Sequence, residues 1–120
     1  MPKRILVIDD DPAISDVMQL ILEDAGYAVE IQMDGQAARQ LAEPLPDLLF
    51  LDIRVSGTNG GELCCYLKRQ PATHHIPIIL LSAHQETARI AREAGANEFL
   101  AKPFEMVDVL ALVAKYLGSA

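Results

Sequence analysis

Short apolar runs alternate along the chain with longer amphipathic windows. Residues 4–9 (RILVID) are apolar on consecutive positions, which marks a strand covered on both faces. Over 12–25, Ile14, Val17, Met18, Ile21 and Ala25 recur at helical spacing and predict an amphipathic helix that stops at Gly26. YAVEIQ (27–32) predicts a second strand, and Gly35 to about Glu43 a short helix ended by Pro44 and Pro46. The continuous run LLFLD (48–52) predicts a central strand, followed by a helix over 60–69. PIILLS (77–82) is the fourth strand, 86–94 a helix closing at Gly95, EFLA (98–101) the fifth strand, and 105–117 the last helix. Strands alternating with helices imply a doubly wound α/β domain, with a parallel sheet covered on both faces. Neither a repeat nor a linker interrupts the pattern, so residues 1–120 are expected to form one domain.

Composition narrows the function. With 120 residues, 51% of them hydrophobic, the chain has the apolar content for one core. Seventeen acids against ten Lys and Arg give a net charge of -7, which argues against direct binding to nucleic acid phosphates. The first apolar run ends after four residues, too soon for a signal peptide, and no run is long enough to span a membrane. Cys64 and Cys65 are adjacent, so an intrachain bridge is implausible and reduced thiols in a cytoplasmic protein are the simpler expectation.

In a parallel sheet every strand ends on the same edge, where doubly wound folds bind ligands. The sequence places Asp9 and Asp10 at the end of the first strand, Asp52 at the third, Ser82 at the fourth and Lys102 at the fifth. Unit charges a few ångströms apart interact by roughly 4 kcal/mol at an effective dielectric of about 20, so three such carboxylates call for a cation. A hard divalent ion such as Mg2+ suits them, and Lys102 and Ser82 add an ammonium and a hydroxyl for a phosphoryl group. Asp11 before Pro12 fits a helix N-cap with proline at the first helical position.

Four segments in order, ILVIDDDP, PDLLFLDIRVSGTNG, PIILLSAH and GANEFLAKPF, resemble the receiver (REC) domain of bacterial two-component response regulators, over essentially the whole chain. The resemblance implies a flavodoxin-like five-stranded parallel sheet in the order 2-1-3-4-5 with five helices, a fold for which members of this family are themselves a familiar example. It implies Asp52 as phosphoacceptor for a partner's phosphohistidine. Mg2+ would be held by Asp9, Asp10, Asp52 and the backbone carbonyl of Arg54. Ser82 and Lys102 would bind the phosphoryl oxygens, small Ala83 would leave them room, and Phe99 would be the aromatic switch. In similar proteins the Lys102-Pro103 bond is cis. Ser56 stands where proline is usual and Asn59-Gly60 where Asp-Gly is commoner, and the window from Ser82 to Gly95 is shorter than in familiar DNA-binding regulators.

Arg54 and His84 flank the path of hydrolytic water in similar proteins and are expected to lengthen the phosphorylated lifetime. In the last helix, Val107, Leu110, Ala111 and Ala114 are expected to face the sheet, while Met106, Val109, Val113 and Tyr116 extend the apolar arc towards a partner or homodimer. The expected partners are a sensor histidine kinase or histidine phosphotransfer protein and a downstream protein or domain. No enzymatic or DNA-binding output domain fits within these residues; a stand-alone receiver that acts by binding a partner is the leading expectation, one domain of a larger regulator or hybrid kinase the second, and the start at Met1 favours an N-terminal position. A Mg2+-dependent phosphohydrolase on the same architecture is the competing reading; it lacks a Gly-rich phosphate loop and has Arg54 where an acid/base would be needed. A pseudo-receiver that only mediates contacts is the other, disfavoured by the complete Asp9, Asp10, Asp52, Ser82 and Lys102 set.

Overall fold

Five parallel strands, β1 (Arg4–Ile8), β2 (Ala28–Gln32), β3 (Leu48–Asp52), β4 (Ile78–Ser82) and β5 (Glu98–Ala101), form one sheet in the order β2-β1-β3-β4-β5. The computed structural model describes residues 2–55, 57–83 and 87–118. Helices α1 (Pro12–Asp24), α2 (Gly60–Arg69), α3 (Thr87–Ala94) and α4 (Met106–Leu117), with a 3-10 helix at Gly35–Gln40, connect them. This is the doubly wound sheet that the alternating pattern predicts.

Every residue of the central strands β3 and β4 is buried, because helices cover both faces. Alternate side chains point to opposite faces. Leu6, Ile8, Leu49, Leu51, Ile78 and Leu80 therefore pack with Leu63 and Leu67 of α2 and Ala91 of α3. Ile5, Val7, Leu48, Phe50, Ile79 and Leu81 pack with Met18 and Leu22 of α1 and Val109 and Val113 of α4. Burying one such Leu or Ile side chain is worth about 1.5–3 kcal/mol, so these two layers hold the strand ends in register.

Local chemistry sets the element ends. Asp11 caps α1, its carboxylate accepting from the Ala13 amide at 3.0 Å, with Pro12 opening the helix. Asn59 caps α2 in the same way by accepting from the Glu62 amide at 3.1 Å, so asparagine in place of the commoner aspartate keeps the cap. The segment expected to be helical over 35–43 is instead a 3-10 helix that ends at Gln40, with Leu41 extended. Residues before proline are driven from the helical region, and Pro44 and Pro46 follow too closely for a full helix to form.

Two helical faces differ from expectation. In α1 the buried positions are Ser15, Met18 and Leu22, while Val17 is exposed. In α4 Val109 and Val113 are buried, with Leu110, Leu112, Tyr116 and Leu117 packed beside them; Val107, Ala111 and Ala114 face outward. The expected α4 stripe contained two alanines, and the observed one removes more apolar area from water. Cys64 and Cys65 are free; burial pushes the Cys64 thiol up to about 11, which leaves it protonated and unreactive.

Candidate functional site

The register of the sheet brings the expected residues to one edge. Ile8 pairs with Gln32 and Leu51, Asp52 with Leu81, and Ser82 with Ala101, so Asp9 just after β1, Asp52 at the end of β3 and Lys102 just after β5 lie on the same edge of the sheet. Asp9 and Asp52 are buried, Asp10 is exposed, and one carboxylate oxygen from each lies within 4.8 Å of the other two. Lys102 Nζ donates to Asp9 Oδ2 at 2.9 Å and to Asp52 Oδ2 at 3.3 Å. Ser82 is buried at the end of β4, and its carbonyl accepts from the Lys102 amide at 2.9 Å. The Lys102-Pro103 bond is cis.

The β3–α2 connection is built tightly around Asp52. Its Oδ1 accepts from the Arg54 amide at 3.3 Å, and the Ile53 amide donates to Leu81 at 2.9 Å. Arg54–Val55 and Thr58–Asn59 then pair as a short antiparallel hairpin, with Gly57 at a φ of 73°. The Arg54 side chain is exposed. His84, the other residue expected to control hydrolytic water, lies outside the described residues, as does Ser56.

Burial pushes the Asp52 carboxyl above its ordinary value, the neighbouring Asp9 charge adds to this, and the Lys102 charge and Arg54 amide only partly offset it. For Lys102 burial works against the charge, but the hydrogen bond to Asp9 and the charges of Asp52 and Asp9 outweigh it, so its ammonium is held above the usual value. The folded protein therefore binds the Asp52 proton more tightly than the unfolded chain. Its contribution to stability falls as pH rises from the ordinary value of 3.8 through the raised one. In chelator-treated protein, the urea midpoint of the parent should fall relative to that of Asp52→Asn as pH rises across that window.

The donor set fits a hard cation. It consists of carboxylate oxygens, and opposite ligands around Mg2+ lie about 4.2 Å apart, so an envelope of 4.8 Å needs little adjustment or one intervening water.

The sequence model described as the response regulator receiver domain matches residues 5–114. The chain belongs to this family. It is thus a receiver domain of two-component signalling, a class that works with histidine kinases and output domains and is a signalling module rather than a conventional enzyme. The acidic cluster Asp9, Asp10 and Asp52 matches the phosphoacceptor site of that family.

Among relatives, the DNA-binding dual master transcriptional regulator RpaA of Synechocystis is 41% identical over 113 residues, which are 92% of this chain and 47% of that protein. The chain spans about half the length of the curated relatives it matches. A receiver domain of a signal transduction histidine kinase from Syntrophus aciditrophicus superposes with a TM-score of 0.87 at 33% identity, covering 96% of this receiver and 89% of that chain. The receiver domain of the sensor histidine kinase PA1611 from Pseudomonas aeruginosa, solved with magnesium coordinated in its active site cleft, gives 0.88 at 29% identity over 99% and 100% of the two chains.

The sequence reading of this receiver missed Ser15, whose hydroxyl donates to the Asp9 carbonyl at 3.0 Å. A signal was present: a serine on the same helical face as Met18 and Leu22 has to find a partner once buried. No helix among the described residues is long and apolar enough to cross a membrane.

Proposed function

We propose that Asp52 is the phosphoacceptor of this receiver, and that phosphorylation switches the α3/β5/α4 face to control a partner or an output domain outside these residues. The observation that supports this most is the convergence of Asp9, Asp10 and Asp52 on one strand edge with Lys102 between two of them. An Asp52 oxygen attacks the phosphorus of a phosphohistidine on a sensor kinase or phosphotransfer protein; the O–P bond forms, the P–N bond breaks, and the imidazole leaves with the electron pair. Asp9, Asp10, Asp52 and the Arg54 backbone carbonyl would hold Mg2+, which when bound supplies positive charge opposite the phosphoryl oxygens.

This chain's own groups answer the added charge. Lys102 exchanges its bond to Asp52 for the phosphoryl group, and the Ser82 hydroxyl turns to donate to it. Phe99 lies on the edge strand and is 43% exposed, leaving it free to turn inward when Ser82 moves. Met106 and Val107, at 58% and 67% exposure, offer apolar surface on α4 for a partner or a second copy. The bulk of Arg54 and His84 restricts hydrolytic water and prolongs the phosphorylated state, which the domain itself ends by hydrolysis. On this reading the domain works in the cytoplasm, acting on proteins rather than on nucleic acid.

The test is incubation with a small phosphodonor and Mg2+ followed by intact mass measurement. A single hydroxylamine-labile phosphoryl group is expected. Repeated turnover of the donor without an adduct would instead indicate a phosphohydrolase, and no reaction at all a phosphorylation-independent contact domain.

A further inference from the structure

Asp9, the fully buried carboxylate of the cluster, is held at four atoms. Its amide donates to Gln32 at 3.1 Å, its two carboxylate oxygens accept from the Asp11 amide and from Lys102 at 2.9 Å each, and its carbonyl accepts from Ser15 Oγ at 3.0 Å. Ser15 is 3% exposed, and its own amide donates to Asp11 at 3.0 Å. Alanine at this position would favour the helix more and bury no polar atom. The hydroxyl bond ties α1 back across the turn that carries the acids.

The peptide unit is planar, so the Asp9 carbonyl and the start of Asp10 move as one rigid plate. We propose that Ser15 is a positioning residue of the acid site, its hydroxyl holding the plate between Asp9 and Asp10 and thereby setting how both carboxylates project towards Asp52. The inference rests on reading these three acids as a cation site.

Mn2+ binding to the unphosphorylated protein, followed by electron paramagnetic resonance, tests it. Ser15→Ala should weaken binding by about tenfold, the lower end for groups that orient metal ligands, and should shift the Asp10 amide resonance. Ser15→Thr, which keeps the hydroxyl, should restore most of the affinity. Thr73→Val serves as the control, because it also removes a buried hydroxyl bond, Thr73 Oγ1 to the Leu67 carbonyl at 2.7 Å, near the opposite edge of the sheet. It should lower the unfolding midpoint and leave Mn2+ affinity unchanged. If Ser15→Ala does not fold, Ser15→Cys, a weak donor of similar size, carries the same expectation. A Ser15 variant that binds Mn2+ like the parent, or a Thr73→Val loss of equal size, overturns the inference alone; a parent protein without Mn2+ affinity overturns the cation-site reading as well.

Discussion

Asp52→Asn is expected to take up no phosphoryl group from any donor and, without metal, to be more stable than the parent at neutral pH. The two outcomes have one cause. Asp52 is buried beside Asp9, and burial followed by the Asp9 charge raises its pKa despite Lys102. Its negative charge therefore opposes folding, while an amide of the same shape keeps an acceptor for the Arg54 amide and leaves Lys102 paired with Asp9. The gain is read as a rise in the urea midpoint. Added Mg2+ should stabilise the parent more than the variant. A variant less stable than the parent would mean that Lys102 more than compensates the buried carboxylate.

Gly60→Ala should be among the most damaging single methyl additions in the chain. A Cβ there would lie 2.2 Å from the Asp52 carbonyl oxygen and 2.7 Å from Ile53 Cα. Both are backbone atoms of the β3 end, so relief requires α2 to move away or Asp52 to move with its strand. The Gly60 amide also donates to Ile53 at 2.7 Å, and that bond would be lost. Overpacking of this kind costs about 1–3 kcal/mol and can exceed it. Phosphorylation should fall together with stability. Gly57→Ala is the contrast: at a φ of 73° with open space around it, it should cost about 1–2 kcal/mol of backbone strain and leave Asp52 chemistry intact. Equal phosphorylation rates in the two variants would show that the α2 start does not position the phosphoacceptor.

Much of this was legible in the sequence because apolar runs this short, alternating with amphipathic helical windows, fit strands buried on two faces, and parallel strands share an edge. ILVI, LLFL and IILL thereby placed Asp9, Asp52 and Ser82 together on pattern alone. What the pattern could not supply was helix rotation. In α4 almost every position is apolar, so the spacing could not separate the Val109 and Val113 side from the Val107, Ala111 and Ala114 side; side-chain volume against the sheet decides it. The early end of the 3-10 helix depends on how Pro44 and Pro46 act together, which spacing does not encode. The hairpin after Asp52 was invisible because two-residue strands leave no periodicity. Ser15 was passed over because helical stripes are sought among apolar residues.

The central claim, that the acid cluster exists to make Asp52 and no other carboxylate the phosphoacceptor, is tested most directly by site mapping. Borohydride reduces an aspartyl phosphate to homoserine, which survives proteolysis and mass sequencing. After treatment with a small phosphodonor and Mg2+, homoserine is expected at position 52 alone. Homoserine at position 9 or 10, or none from a protein that carries the phosphoryl group, would contradict it.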